Sequence, residues 1–197
     1  MPPTLITRLI KIMLLGLALG IAYVMLQSCS KPKSGLEQYG KASLSKLTVI
    51  SPPPARPAAV FLTPDGEEIT LAKLQSQRTQ GKVILVNLWA TWCPPCIAEM
   101  PSLNKLQEQY GDERFEVITI NFDRDAALGE TFLRDKGLTN LPFYHNPNFA
   151  LAREYAVAGF PLTIIYSPGG AERARLLGEA DWTSPEARRL IEALKTE

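Results

Sequence analysis

The chain has little of several features that other protein classes need. Its 21 lysines and arginines are balanced by 20 aspartates and glutamates, which indicates neither a basic face for nucleic acid nor an acidic bias. It has three cysteines and one histidine, His145, whereas a zinc site needs four ligands. To complete such a site, a cysteine pair could recruit only Cys29 in the N-terminal tail and His145, and this ligand count argues against zinc. No internal repeat is present, and the 197 residues suit one globular domain with an appended tail.

What the sequence does contain is a pair of cysteines, Cys93 and Cys96, separated by two prolines. They follow the apolar run 83–91, at the point where a buried-looking strand turns into a helix. Two cysteines at this spacing can close into a disulfide and reopen. A purely structural disulfide is the alternative, but closing so short a loop restricts the unfolded chain only slightly. Redox exchange is therefore the better explanation.

The residues around the pair favour a reactive Cys93. A residue that precedes a proline avoids helical backbone angles, as an N-cap residue must. Pro94 and Pro95 then occupy the first helical positions, where a missing N–H costs little. The helix terminus and the N–H of Cys96 favour a thiolate on Cys93, which is the form that attacks a disulfide. Cys96, one turn into the helix, is predicted to be shielded and to resolve the mixed disulfide.

Residues 1–30 are predicted to be an N-terminal signal or membrane anchor. Arg8 and Lys11 precede the uncharged stretch 12–26, whose length falls between that of a signal-peptide core and that of a transmembrane helix. Positive charges ahead of such a segment orient the rest of the chain outward. Cys29 lies where either a lipoprotein signal or an ordinary cleavage site would end. Three outcomes stay open, namely an uncleaved anchor, a lipidated Cys29 and a released domain.

A spacer and one folded domain are predicted to follow. Residues 31–57 are rich in proline and poor in core residues, which favours an extended extracytoplasmic linker. From 58 to 197, strands alternate with helices, and the predicted elements include a buried strand at 83–89 and a helix over Pro94–Tyr110. This alternation predicts an α/β sandwich around a mixed sheet.

The motifs of this domain resemble those of the membrane-anchored TlpA/ResA-like thiol-disulfide oxidoreductases of the thioredoxin-fold superfamily, and are most similar to TlpA. The resemblance is carried by the segments 85–96, 99–101, 159–161 and 178–182. It implies a thioredoxin-like three-layer α/β/α sandwich with a mixed central sheet, an N-terminal hairpin and a central β-α insertion between 116 and 146. It also implies that Cys93 attacks and that Pro161 is cis. Where thioredoxin itself has a buried aspartate below the cysteines, this chain has Asn87, which cannot take a proton.

The same resemblance implies a reductase of client-protein disulfides in the maturation of cytochrome c or of the copper site of cytochrome oxidase. No metal and no cofactor besides the redox-active disulfide of Cys93 and Cys96 are expected. The expected partners are client proteins, a membrane electron donor of DsbD or CcdA type, and the membrane itself through the N-terminal segment. A monomer is expected at the bacterial inner membrane, with its domain facing the periplasm or exterior. The residues expected to contact clients are Trp92, Pro94, Pro95, Phe160 and Pro161.

Glu99 is a candidate proton partner of the cysteine pair. It lies three residues after Cys96 on the same helix face and could exchange protons with the pair through water. The alternative is a surface carboxylate stabilised by the nearby helix N-terminus. Because Asn87 leaves no acid in the preceding strand, the proton-transfer role is favoured.

Two other classes of function stay open. A copper-handling protein of Sco type would use two cysteines and a distant histidine, here His145, but with three residues between the cysteines rather than two. A non-catalytic adaptor built on the thioredoxin fold would not need both cysteines. Copper retention and disulfide turnover, measured on the same sample, separate these classes from a reductase.

Overall fold

A computed structural model describes residues 13–17, 20 and 35–196 of the chain. Its contacts divide into two compact units, Met1–Gly35 and Leu36–Glu197. The predicted signal or anchor, residues 1–30, lies almost entirely outside the described residues. In the described part of the chain, no helix has the length and apolar character needed to cross a membrane. The second unit carries the cysteine pair.

A single mixed sheet organises this second unit. The strands are β1 (Leu47–Val49), β2 (Val60–Leu62), β3 (Glu68–Thr70), β4 (Val83–Trp89), β5 (Phe115–Asn121), β6 (Phe143–His145), β7 (Leu162–Tyr166) and β8 (Glu172–Leu177). Their order across the sheet is β1-β8-β7-β4-β5-β6-β2-β3. Central β4 pairs in parallel with β5 and antiparallel with β7, and all seven of its residues are buried. A strand buried on both faces needs cover on both, which the helices supply.

The helices begin and end where capping residues allow. They are α1 (Leu71–Gln77), α2 (Pro94–Tyr110), α3 (Ala126–Asp135), α4 (Ala150–Glu154) and α5 (Pro185–Lys195). The side chain of Thr70 caps α1, that of Asp125 caps α3 and that of Ser184 caps α5, each by accepting a hydrogen bond from a backbone N–H of the first turn. The predicted bounds of α2 are confirmed, and the segment β5-α3-β6 is the predicted central insertion. The mixed α/β sandwich predicted from the sequence is confirmed.

The folded unit begins earlier than the sequence predicts. Residues 36–50 were expected to belong to the linker, but they form two short 3-10 helices, Glu37–Tyr39 and Ala42–Leu44, and the edge strand β1. Leu47 of β1 lies opposite Leu176 of β8, and Leu44 is fully buried. The boundary at residue 58 is therefore corrected to Leu36, because β8 offers a free edge and the core accepts two leucines of the segment, Leu36 and Leu44. Within the described residues of the predicted linker, the stretch 51–56 remains exposed throughout.

Candidate active site

The cysteine pair lies where β4 passes into α2. Cys93 is the N-cap of α2 with extended backbone angles, and Pro94 and Pro95 form the start of the helix. The Cys96 N–H donates to Cys93 Sγ at 3.3 Å, so the sulfur fills the capping role that a side-chain oxygen fills elsewhere. The two sulfurs form a disulfide with an S–S distance of 2.03 Å and a Cα–Cα distance of 5.3 Å. The local geometry agrees with the predicted N-cap and helix start.

The two cysteines differ in their access to solvent. Cys93 retains 5 % of its surface, whereas Cys96 retains none. The residues on either side of Cys93 are open, since Trp92 is 57 % exposed and Pro94 is also exposed. A partner that reaches the disulfide meets Cys93 first. The assignment of Cys93 as attacking residue and Cys96 as resolving residue stays a prediction.

Trp92 contacts the loop that contains Pro161. Its ring meets that of Phe160 edge to face, with the ring centroids 5.7 Å apart. The Phe160–Pro161 peptide bond is cis, as expected from the resemblance. Phe160 also packs on Phe122 at 5.1 Å. In the part of the chain that the structure describes, no backbone hydrogen bond engages Phe160. The disulfide therefore lies beside an apolar surface with free backbone groups.

Glu99 is buried, contrary to the surface alternative. It is 2 % exposed and accepts three hydrogen bonds. Asn87 Nδ2 donates to Oε1 at 2.7 Å, while the Ala180 N–H and Trp182 Nε1 donate to Oε2 at 3.1 and 3.2 Å. Burial raises the pKa of Glu99 to about 7, against the lowering effect of these hydrogen bonds. A carboxyl group with this pKa is equipped to gain and lose a proton near neutral pH.

A cavity of about 530 Å³ reaches Glu99 from the side of the 178–182 segment. Ser43, Ser102 and Asp181 are among its lining residues. The exposed Glu179 also lines it, and its negative charge adds to the rise in the pKa of Glu99. The cavity gives water a route to the buried carboxyl group.

The structure also contains a buried acid that the sequence analysis missed. Asp123 follows β5 and is fully buried. Its carboxylate accepts hydrogen bonds from the backbone N–H of Thr91 at 3.1 Å and from the Thr91 hydroxyl at 2.9 Å. Because β4 and β5 are parallel, both strands end at the same edge of the sheet, so a polar residue just after β5 could have been placed near the cysteine motif.

His145, the candidate copper ligand, is held by the backbone. It is buried, and its Nε2 donates to the carbonyl oxygen of Asp123 at 2.8 Å. Among the described residues, no group of three or more histidine, cysteine, aspartate or glutamate side chains is arranged to hold a metal ion. Trp89, the last residue of the strand that the sequence predicts to be buried, is fully buried and contacts Phe132.

Sequence comparison links this site to one family. The model of the Redoxin family matches residues 54–168. A thiol-disulfide oxidoreductase ResA of Oceanobacillus iheyensis is 31 % identical over 104 residues, which are 53 % of this chain and 54 % of that protein. The thioredoxin-like protein YneN of Bacillus subtilis is 34 % identical over 101 residues, or 50 % of this chain and 58 % of that one. The matched part thus spans little more than half the length of these curated relatives.

Solved structures agree with this match at the level of the fold. StoA from Bacillus subtilis is 25 % identical and superposes with a TM-score of 0.54, over 73 % of this chain and 100 % of that one. A thiol:disulfide interchange protein of the thioredoxin family from Chlorobium tepidum reaches a TM-score of 0.59 at 21 % identity, over 74 % of this chain and 99 % of that one. The second likeness shows the thioredoxin fold alone.

Proposed function

The chain belongs to the Redoxin family, and from this premise we propose that it is a thiol-disulfide oxidoreductase that reduces disulfides of client proteins. The observation that carries the proposal is the disulfide at the N-terminus of α2, in which Cys93 is the less buried partner at 5 % exposure and Cys96 is fully buried. A purely structural disulfide does not need an exposed aromatic side chain such as Trp92 beside it, whereas a surface that binds substrate does. The relatives named ResA support the same chemistry.

The reaction has two exchange steps. In the reduced protein, the thiolate of Cys93 attacks one sulfur of the client disulfide, which forms a mixed disulfide and releases one client thiolate. The thiolate of Cys96 then attacks the sulfur of Cys93, which closes the Cys93–Cys96 disulfide and releases the second client thiolate. Two electrons and two protons pass to the client. A dithiol donor must return two electrons before the next cycle.

Glu99 is proposed to manage the proton of Cys96. Cys96 must lose its proton before it can resolve the mixed disulfide, and its buried position excludes bulk solvent. A carboxyl group three residues further along the helix, with a pKa of about 7, can take that proton when ionised. The cavity beside Glu99 lets it pass the proton on to water.

Two cysteine variants test the reaction and its order. With insulin as the disulfide substrate and dithiothreitol as the donor, the wild-type chain is expected to accelerate reduction. Cys93→Ser is expected to abolish turnover, and Cys96→Ser is expected to accumulate mixed disulfides because nothing resolves them. Equal accumulation by both variants would contradict the order, and no turnover by the wild-type chain would contradict the proposed activity itself.

We propose further that the clients belong to cytochrome c or cytochrome oxidase copper-site maturation. The resemblance to TlpA/ResA-like proteins supports this class of clients. It also supports an extracytoplasmic location at the inner membrane, action as a monomer and a membrane electron donor of DsbD or CcdA type. The test is capture in living cells with Cys96→Ser, followed by identification of the disulfide-linked protein. An apocytochrome c, a copper-assembly factor or an oxidase subunit is expected, and consistent capture of unrelated proteins would contradict the assignment.

A further inference from the structure

We propose that Asp123 is a positioning residue for disulfide exchange, which fixes the turn before Cys93 and places a buried acidic side chain against that turn. The inference rests on the proposed function, since it concerns how the same pair is presented and how strongly it reduces. Asp123, in the loop after β5, contacts the turn formed by residues 90–92.

Asp123 holds this turn through several hydrogen bonds. Both the backbone N–H and the hydroxyl group of Thr91 donate to its carboxylate. Asn121 Nδ2 donates to Asp123 Oδ2 at 2.8 Å, and Asn121 Oδ1 accepts from the Asp123 N–H at 3.0 Å. The His145 ring fixes the carbonyl group of the same residue. Asp123 is thus held on three sides and in turn holds Thr91, two residues before Cys93.

The turn leads directly to the surface where a client is expected to bind. Trp92 follows Thr91, and its exposed ring contacts Phe160 in the cis-proline loop. A shift of the turn would therefore change both the position of Cys93 and the gap between Trp92 and that loop. Protein clients that bind across the gap depend on this geometry more than small disulfides do.

The charge of Asp123 is not explained by its structural role. The residue is fully buried, and no ion pair to it is present in the described part of the chain. Its donors are a backbone N–H, a hydroxyl group and an amide, which a neutral asparagine oxygen could also engage in part. A buried carboxylate without a cation costs more free energy than a neutral side chain.

A carboxylate held against the turn before Cys93 also acts on the sulfur electrostatically. It disfavours a second negative charge on the Cys93 sulfur, and this destabilises the dithiol form when the sulfur is ionised. The disulfide form is then favoured, so the pair becomes a stronger reductant. The charge of Asp123 thus has a role in setting the redox equilibrium of the cysteine pair, which a neutral hydrogen-bonding side chain at the same position would not have.

The experiment separates geometry from charge in the full chain. Asp123→Asn removes the charge but keeps an oxygen for Thr91, although its amide group then faces the amide of Asn121. The double variant Asn121→Asp/Asp123→Asn restores a donor-acceptor match and moves the charge two positions away. Thr91→Val removes the hydroxyl contact without a change in charge, and Thr91→Ser keeps that contact. Asp125→Asn is the matched control, since Asp125 is exposed and asparagine caps α3 equally well.

Two readouts are compared, the KM for insulin and the equilibrium constant with glutathione. Asp123→Asn is expected to shift the equilibrium about tenfold toward the dithiol, about 30 mV for a two-electron couple, and to raise the KM for insulin. The double variant is expected to lower that KM again. Thr91→Val is expected to raise the KM alone, while Thr91→Ser and Asp125→Asn keep wild-type values.

Several outcomes would overturn the inference while leaving the proposed function in place. One is a folded Asp123→Asn chain whose KM and equilibrium constant both stay within twofold of wild type. Another is an equal shift of the equilibrium by Asp123→Asn and Asp125→Asn. If Asp123→Asn does not fold, a wild-type KM in Thr91→Val decides against the positioning role. Loss of insulin turnover in the wild-type chain would instead overturn the proposed function.

Discussion

Asn87 donates one N–H to Glu99 at 2.7 Å, while the carbonyl oxygen of the same amide is buried without a hydrogen-bond partner among the described residues. The arrangement suits both charge states of Glu99. Ionised Glu99 accepts from the amide nitrogen, as in the structure. Neutral Glu99 carries an O–H that needs an acceptor, and rotation of the Asn87 amide presents its free oxygen. Asn87 also donates to Thr163, whose hydroxyl group can reverse its own direction and so tolerates the rotation.

The raised pKa of Glu99 predicts a specific dependence of stability on pH. The folded state retains the proton of Glu99 up to about pH 7, whereas the unfolded state loses it near the ordinary value of 4.5. Below pH 4.5, Glu99 is protonated in both states, so its burial costs no free energy of ionisation. As the pH rises from 4.5 to 7, the free energy of unfolding falls by about 3 kcal/mol in total, because the unfolded state alone releases the proton. In Glu99→Gln this part of the pH dependence is expected to vanish.

Urea unfolding of the oxidised chain between pH 4 and 8 measures the effect as the difference between wild type and Glu99→Gln. The exposed Glu179→Gln is the control, and only a small change is expected from it because solvent screens its charge. A parallel pH profile for wild type and Glu99→Gln would contradict the raised pKa.

Glu99→Gln is also expected to slow exchange if Glu99 manages the proton of Cys96. The rate of insulin reduction is expected to fall by about 10²-fold near neutral pH, because the variant lacks a general base. The titration of the Cys96 thiol is expected to shift at the same time. Unchanged rate and unchanged thiol titration would return Glu99 to a purely structural role.

The exposed ring of Trp92 predicts a selective loss of client binding. Trp92→Ala removes the contact with Phe160 and is expected to raise the KM for insulin severalfold. Because the side chain is 57 % exposed, the free energy of unfolding is expected to fall by less than about 1 kcal/mol. Trp92→Phe keeps an aromatic edge toward Phe160 and is expected to behave nearly as wild type. An equal KM in wild type and Trp92→Ala would exclude this surface as the client contact.

The segment 36–50 is expected to contribute to stability as part of the core. Leu44 is fully buried, so Leu44→Ala is expected to lower the free energy of unfolding by about 2–5 kcal/mol. Leu128→Ala, at a leucine that is 55 % exposed, is expected to change it by less than about 0.5 kcal/mol. Chemical denaturation measures both. Similar small effects for the two variants would support the linker interpretation of this segment after all.

Local signals in the sequence predicted much of the fold, and contacts between distant residues account for what was missed. The apolar run of β4 and the glycine after Tyr110 set the bounds of two elements without reference to the rest of the chain. Strand β1 is only three residues long, and it depends on the edge of β8 more than a hundred residues later. The burial of Glu99 likewise requires Trp182, which no pattern around Glu99 indicates.

The difference between local sequence signals and contacts of distant residues also applies to the candidate active site. The cysteine spacing and the two prolines predicted the N-cap of α2 from residues that are adjacent in the chain. The contact of Thr91 with Asp123 joins the ends of two parallel strands, so it follows only from the strand pairing. Sequence reasoning therefore predicted the position of the cysteine pair at the start of α2, and the structure adds the residues that surround it.

The charges around Cys93 predict that the pair is a reductant. A strong oxidant stabilises its thiolate through positive charge or several donors, and no lysine, arginine or histidine lies between Trp89 and Pro101. Pro94 and Pro95 contribute no N–H, which leaves the Cys96 N–H as the donor to the sulfur. The potential is therefore expected nearer to thioredoxin's value of about −270 mV than to DsbA's of about −120 mV. Equilibration of the chain with dithiothreitol and glutathione measures it, and a potential above about −180 mV would show an oxidant or isomerase instead.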